Sequence, residues 1–560
     1  MTTASRVDGS RNAQSEPSEP WPRSRSIAAL LASAVVAVIG LAVVLDGNTR
    51  PNAPSTGLAA PAPSPTLVAP APTSAFPPVP TSTHTADARL GGTGAGLPAP
   101  APARGDEPAG GEDRGGDEEL EEQREGTEKR LEALRQAIAE GRFGSREPLT
   151  GAVAPGWAGE RIVKVGTDDW EPAVAADSNA PYVYILVTRY EERESCRKCP
   201  TPYIALEISR DGGRTWSNGR PICRCEDGPK GQFDPIIEVV PDNGHVYAVW
   251  MNDFHVVFSR STDHGRTWTE PVPTYGDVRW NDKPTMTSSA NGRDVYVSWN
   301  GPTGGDPWIA VSHDRGRTWT QTLVAESDRY YFAFDSAVIP EGTAVFSESS
   351  ISYTGPGGAP EGVVRHHAFV SEDRGATWDR VRVDEVELGE DCVAEGCSSD
   401  FYNGHTALAG DATGRLYFTY DGATTPGGPQ KIWFRTSDDD GQTWSDRVRL
   451  SAAGEVATSP AIEAVGRGDV RLWYMQTRNG DHDAWNVWYL RSTDGGDTWS
   501  APVRISDRAS GADYKTGLGF MEVYGDYGEL AITNRGETIA VWGEGFSWVG
   551  PGGAWFNRTR

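Results

Sequence analysis

The chain has 560 residues, 37% hydrophobic and 23% charged, and its 78 acidic side chains against 52 Lys and Arg give a formal charge of −26. That balance sets aside a nucleic-acid partner, because phosphate binding needs a concentrated basic surface. The apolar share suffices for a large core, although polar and Pro-rich sequence fills much of the first third.

After a short tail at 1–25, residues 26–45 (SIAALLASAVVAVIGLAVVL) form a charge-free apolar run of 20, long enough to cross the roughly 30 Å of a bilayer core as a helix. Arg6, Arg11, Arg23 and Arg25 precede it and Asp46 is the first charge after it. The positive-inside rule then keeps the N-terminus in the cytoplasm and exports the rest. A cleaved signal peptide is the alternative, but its apolar region is usually shorter and ends in small residues at a cleavage site. Here the run ends in VVLDGN. The expectation is an uncleaved single-pass anchor in the plasma membrane.

Residues 46–116 are rich in Pro, Ala, Ser and Thr and then in acidic residues and Gly, a composition that buries no core and reads as a linker. At 117–141, Leu131, Leu134 and Ile138 fall three and four apart, which predicts a short amphipathic helix with those three on its apolar face. From 158 to 560 the texture becomes short β-rich runs broken by Gly, Asp and Asn.

Six segments there fit Ser-x-Asp-x-Gly-x-Thr-Trp: SRDGGRTW, STDHGRTW, SHDRGRTW, SEDRGATW, SDDDGQTW and STDGGDTW, with aspartates at Asp211, Asp263, Asp314, Asp373, Asp439 and Asp494. Intervals of 51 to 66 residues suit one four-stranded antiparallel sheet per repeat, the blade of a propeller. A seventh copy, ELAITNRGETIAVWGEG, follows the last box and runs to GGAWFNRTR without a box of its own. Its missing fourth strand is expected from ERIVKVG (160–166), which would close the ring and leave no sheet edge exposed. The predicted fold is therefore all-β, a seven-bladed propeller of six Asp-box blades and a closing blade.

In each box the carboxylate and hydroxyl can bond nearby backbone N–H groups while Gly accepts positive φ, so the motif is first a structural turn. These boxes resemble those of the sialidase-like, Asp-box (BNR repeat) propeller superfamily, over about 400 residues. The resemblance implies the fold strongly and activity weakly, since that superfamily includes sialidases, other glycosidases and non-catalytic receptor or assembly proteins. Sialidases normally have six blades and an early Arg-Ile-Pro motif, and this chain lacks the motif; its nearest strings are ERIVKV and GRPIC.

With the boxes on one face, the other face receives the starts of the innermost strands and the ends of the second strands. The first set brings Asp169, Asp234, Asp282, Asp335, Asp400 and Asp526, and the second Arg189, Asn252, Asp253, Asn300, Glu348, Asp421, Arg478 and Glu544. Crowded carboxylates raise one another's pKa or recruit a cation, so a structural ion such as calcium is conceivable and no other cofactor is called for. Carboxylates, arginines and aromatics together suit a carbohydrate or glycoconjugate partner, and glycoside cleavage needs an acid and a base or nucleophile. The resemblance to sialidases implies Asp282 as the acid, Tyr524 with Glu544 as a nucleophile pair, and Arg189, Arg279 and Arg478 as a carboxylate clamp. Asp234, Asp253 and Asp526 would complete the binding surface. The rival reading is a propeller that binds glycan or protein without catalysis.

Cys196, Cys199, Cys223, Cys225, Cys392 and Cys397 all lie in the exported part, where an even count favours disulfides. Cys392 with Cys397 is the simplest local bridge, and the other four are expected to link 196/199 with 223/225. Zinc held by four thiolates of the first two clusters is the alternative.

Overall fold

The structure is a computed structural model and describes residues 113–141, 153–191, 198–226, 228–278, 280–301, 305–325, 329–354, 359–392, 402–507, 528–545 and 552–560. The apolar run 26–45 lies outside them, and among the described residues no helix is long and apolar enough to cross a membrane.

The described residues form seven four-stranded antiparallel sheets. Six are simple meanders of consecutive strands; blade one, for example, runs Asp168–Ala176, Val183–Tyr190, Tyr203–Ser209 and Arg220–Pro221. The innermost strands of blades two to seven are Gln232–Val239, Asp282–Ser288, Tyr330–Val338, Thr406–Gly410, Ala457–Val465 and Glu529–Ile532. Second strands such as VYILVTRY are buried along their whole length, because each sheet is covered on both faces by its neighbours and β-branched and aromatic side chains fill that space. Blade seven takes its outermost strand from Arg161–Ile162, paired antiparallel with Gly552–Arg558. Val163 N–H continues the pairing to Ala554 O at 2.8 Å, so the ring is closed by the segment whose sequence suggested it.

Each box sits between the third and fourth strands, and all six repeat one bonding pattern. At Asp314, Ser312 Oγ donates to Oδ1 at 2.9 Å, Gly316 N–H donates to Ser312 Oγ at 2.9 Å, and Thr318 gives its N–H and hydroxyl to the two carboxylate oxygens. The Thr498 hydroxyl and N–H hold the Asp494 pKa down at about 2. The box tryptophans stitch blades together: Trp216, Trp319 and Trp499 meet Phe556, Phe258 and Phe434 of the preceding blade edge to face, with centroids 5.0 to 5.4 Å apart.

Among the described residues one helix, α1 (Asp113–Ala139), precedes the propeller. Its buried stripe is Thr127, Arg130, Leu131, Leu134 and Ala137, whereas Ile138 is 53% exposed. The apolar face is thus rotated from the expected one, because Arg130 takes an inner position that a reading of apolar residues alone gives to Ile138. Leu131 joins the core cluster of Trp170, Tyr190, Phe233 and Phe254, which sets α1 on blades one and two.

Candidate functional site: the face opposite the Asp boxes

Innermost strands enter this face through a kink. Glu171, Asp234, Lys283 and Ser459 each precede a proline and each has φ between 49° and 52°. The ladder shifts register there in blades one, two, three and six. Proline brings no N–H to the ladder, so a bulge forms at that point. A left-handed backbone at a non-glycine residue costs about 1–3 kcal/mol, and such strain clusters at functional sites.

Under α1 the kinks of blades one and two assemble an acidic and aromatic cluster. The Arg130 guanidinium lies 3.0 Å from Asp168 Oδ2, both side chains being 1% exposed, and its carbon stands 3.4 Å from the Trp170 ring centre and 4.8 Å from that of Tyr190. Asp168 Oδ1 accepts the Trp170 indole N–H at 3.1 Å and Gly552 N–H at 3.0 Å. Glu171 Oε2 accepts the Thr188 hydroxyl and the N–H of Asp234, tying blade one to blade two. Burial pushes the Tyr190 hydroxyl far above its usual pKa; Arg130 pulls it down, and Glu171, Asp168 and Asp234 push it up.

Across the mouth, between blades five and six, Asp421 is fully buried and organises His405. Its Oδ1 accepts the N–H groups of Gly404 and His405, and its Oδ2 accepts the Thr458 hydroxyl and lies 2.9 Å from His405 Nδ1. Beside this, over blades four to six, an open cavity of 620 Å³ is lined by Glu361, Glu390, Asp391 and His482 among others. His482 Nε2 is 3.0 Å from Glu390 Oε2, and its Nδ1 is 3.4 Å from the Tyr402 hydroxyl.

Deeper, the channel of 830 Å³ carries Glu238, Asp335, Glu463 and Glu529 from four different blades. Three reach the next blade: Glu238 Oε1 accepts Ser288 N–H, Asp335 Oδ2 accepts Leu408 N–H, and Glu529 Oε2 accepts Val174 N–H. Burial raises Glu238 to about 8 and Asp335 and Glu463 to about 7, and pushes Glu529 well above the usual range. Among the described residues no group of three His, Cys, Asp or Glu is arranged to hold a metal ion.

Several residues expected at the face have other surroundings. Arg189 is fully buried, fork to fork with Asp169 at 2.7 and 2.8 Å and 3.4 Å from Glu207, inside blade one. Asp253 accepts the N–H groups of Lys230 and Gly231 in a turn. Asp335 lines the channel rather than the mouth. Asp234 is buried beside Glu171, Asp282 begins the inner strand of blade three opposite Asn300, and Glu544 is buried and accepts the Trp542 indole N–H at 2.9 Å. Arg478 is exposed at the end of its strand. Arg279, Tyr524, Asp526 and Asp400 lie outside the described residues, as do Cys196 and Cys397.

Cys223 is bonded to Cys225, not to the 196/199 pair; the two are close enough in chain to bridge across a turn, and the bond removes both thiols from any zinc site. Cys199 and Cys392 are also disulfide-bonded. Arg130, Tyr190 and His405 were missed from sequence. The strings TRYEE and YNGH hold two of them, but nothing in a helical run such as EKRLEAL marks an inward-facing arginine.

Residues 195–358 match the BNR repeat-like domain family, and no curated protein matches the chain in sequence. Among solved structures, a protein of unknown function from Dyadobacter fermentans is 12% identical with a TM-score of 0.41, the match covering 72% of this chain and 100% of that one. An ulvan lyase, a polysaccharide lyase, is 13% identical with a TM-score of 0.43 over 71% of this chain and 95% of its own. The intramolecular trans-sialidase of Ruminococcus gnavus is 13% identical with a TM-score of 0.38 over 70% and 94%. With its six bonded Asp boxes and its seven four-stranded blades, the chain is an Asp-box β-propeller that carries a BNR repeat-like stretch at 195–358.

Proposed function

We propose that this is a cell-surface glycoside hydrolase, held by residues 26–45 in the plasma membrane with its propeller outside, that takes a glycan onto the face opposite the Asp boxes. The observation that carries this reading is the open cavity of 620 Å³ bearing Glu361, Glu390, Asp391 and His482. Its size suits a small sugar unit, and carboxyl groups are what glycoside cleavage requires. Glu390, in contact with His482, is the group we assign to proton transfer; Asp282, Glu544 and Tyr524, from the resemblance to sialidases, are the competing assignment. Because Arg189 is occupied by Asp169, a sialic acid carboxylate would have to be held by Arg279 or Arg478. That same occupied arginine favours the second reading, a propeller that binds glycan without cleaving it.

The test is hydrolysis of a panel of fluorogenic glycosides, sialosides included, by the full chain and by Glu390→Gln, Asp282→Asn and Glu544→Gln. Loss of an acid or base is expected to lower kcat by about 10²- to 10⁴-fold. Loss confined to Glu390→Gln supports the cavity assignment, and loss confined to the other two moves the chemistry to the channel mouth. No turnover, with binding retained on a glycan array, replaces the enzyme by the binder.

A further inference from the structure

The cluster under α1 has the composition of a binding site, and the molecule fills it from its own chain. Two aromatic rings, Trp170 and Tyr190, stand edge to face 6.3 Å apart, and Arg130 lies over both with Asp168 at its end. A planar guanidinium is what such a cage selects: it stacks on aromatic faces and directs fixed N–H donors at a carboxylate. Glu171 and Asp234 lie close enough to act electrostatically on the same Tyr190 hydroxyl, so the surroundings are acidic beyond the one ion pair.

Elsewhere along α1 several side chains face outward. Lys129, Glu125, Glu132 and Arg135 have side chains 52% to 69% exposed, Ile138 is exposed, and the buried apolar stripe is Leu131, Leu134 and Ala137. With three apolar residues buried among its described side chains, α1 rests on less apolar packing than a blade strand, and elements so packed open before the core. The cage itself does not need α1 for its shape. Asp168 is held from the propeller by the Trp170 indole and by Gly552 N–H, both on Oδ1, whereas the 3.0 Å ion pair with Arg130 is made at Oδ2.

We infer that the Asp168, Trp170 and Tyr190 cage is a guanidinium-binding site, occupied in the resting molecule by Arg130, and that α1 is a removable cover whose release opens this site to an arginine-bearing ligand. The proposal concerns the docking of α1 and stands whether or not the chain cleaves a glycan.

The test is hydrogen exchange of the α1 amides at 124–139 in the full chain, without and with N-ethylguanidinium chloride at millimolar concentration, and with sodium chloride as the ionic control. Arg130→Ala is expected to speed exchange by about tenfold or more, the equivalent of one cage contact of about 1.4 kcal/mol, and N-ethylguanidinium, but not sodium chloride, to restore protection. In the double variant Arg130→Ala, Asp168→Asn the rescue is expected to vanish; Asn keeps an oxygen for the Trp170 and Gly552 donors, and unchanged exchange in the blade strands checks that the propeller is intact. Unchanged protection in Arg130→Ala overturns the proposal. So does protection that is lost but not rescued, or a rescue that survives Asp168→Asn.

Discussion

At Gly316 the backbone has φ +74°, and a Cβ placed there would stand 2.0 Å from a ring carbon of Phe258 in the preceding blade. Gly466 has a similar φ of +66° with nothing within 4 Å. Replacing each by Ala separates strain from crowding. Gly466→Ala is expected to cost about 1–2 kcal/mol from the left-handed backbone alone, and Gly316→Ala about 1–3 kcal/mol more from the overpacked contact, both read from urea unfolding. Equal losses would mean that the Phe258 ring swings aside freely. The need for glycine at this box position was legible in the repeated Ser-x-Asp-x-Gly pattern. The ring that polices it was not, because Phe258 lies in another repeat and only the closed propeller brings the two together.

Among the elements, the short strand Arg161–Ile162 does work out of proportion to its length. It covers the edge of Gly552–Arg558, and Val163 N–H extends the ladder to Ala554. Val163→Pro removes that donor and leaves the Ala554 carbonyl without it, with an expected cost of about 1–3 kcal/mol seen as a lowered thermal midpoint for the whole propeller; an unmoved midpoint would show that closure is held elsewhere. This strand was readable because a seventh copy lacked its fourth member and a free β-run stood upstream. The helix was readable only in part. Leu131 and Leu134 gave its existence, but a charged residue in a helical run is normally on the solvated side, so Arg130 passed unnoticed and Ile138 was turned inward in its place. Likewise the prolines of WEP, FDP, DKP and TSP were in view, yet the left-handed residue before each is set by the bulge and by the neighbouring blade rather than by the tripeptide.

For the whole molecule, two sets of carboxyls pull stability in opposite directions with pH. In the boxes the folded pKa is depressed, to about 2 at Asp494, so their contribution is present above the ordinary Asp pKa and lost as pH falls through about 2. In the channel the folded pKa is raised, to about 7 at Asp335 and Glu463 and about 8 at Glu238. For these acids the protonated form is favoured by folding, so stability is fullest below the usual carboxyl range and declines as pH rises from about 4 towards 8. The thermal midpoint is therefore expected to be higher at pH 5 than at pH 8, and Glu238→Gln to flatten that slope; a midpoint that rises towards pH 8 would contradict the assignment. Asp335 was in the inner-strand set that sequence brought to this axis, but Glu238, Glu463 and Glu529 followed from no motif, since each sits in an ordinary strand and only the sevenfold arrangement makes them neighbours. The closure of blade seven also fixes an order of events during synthesis. The partner of Arg161–Ile162 follows it by six whole blades, so until residues 552–558 leave the ribosome that strand has nothing to pair with and the growing sheets carry an open edge. The nascent chain must be kept from sticking to its neighbours until the seventh blade has been made.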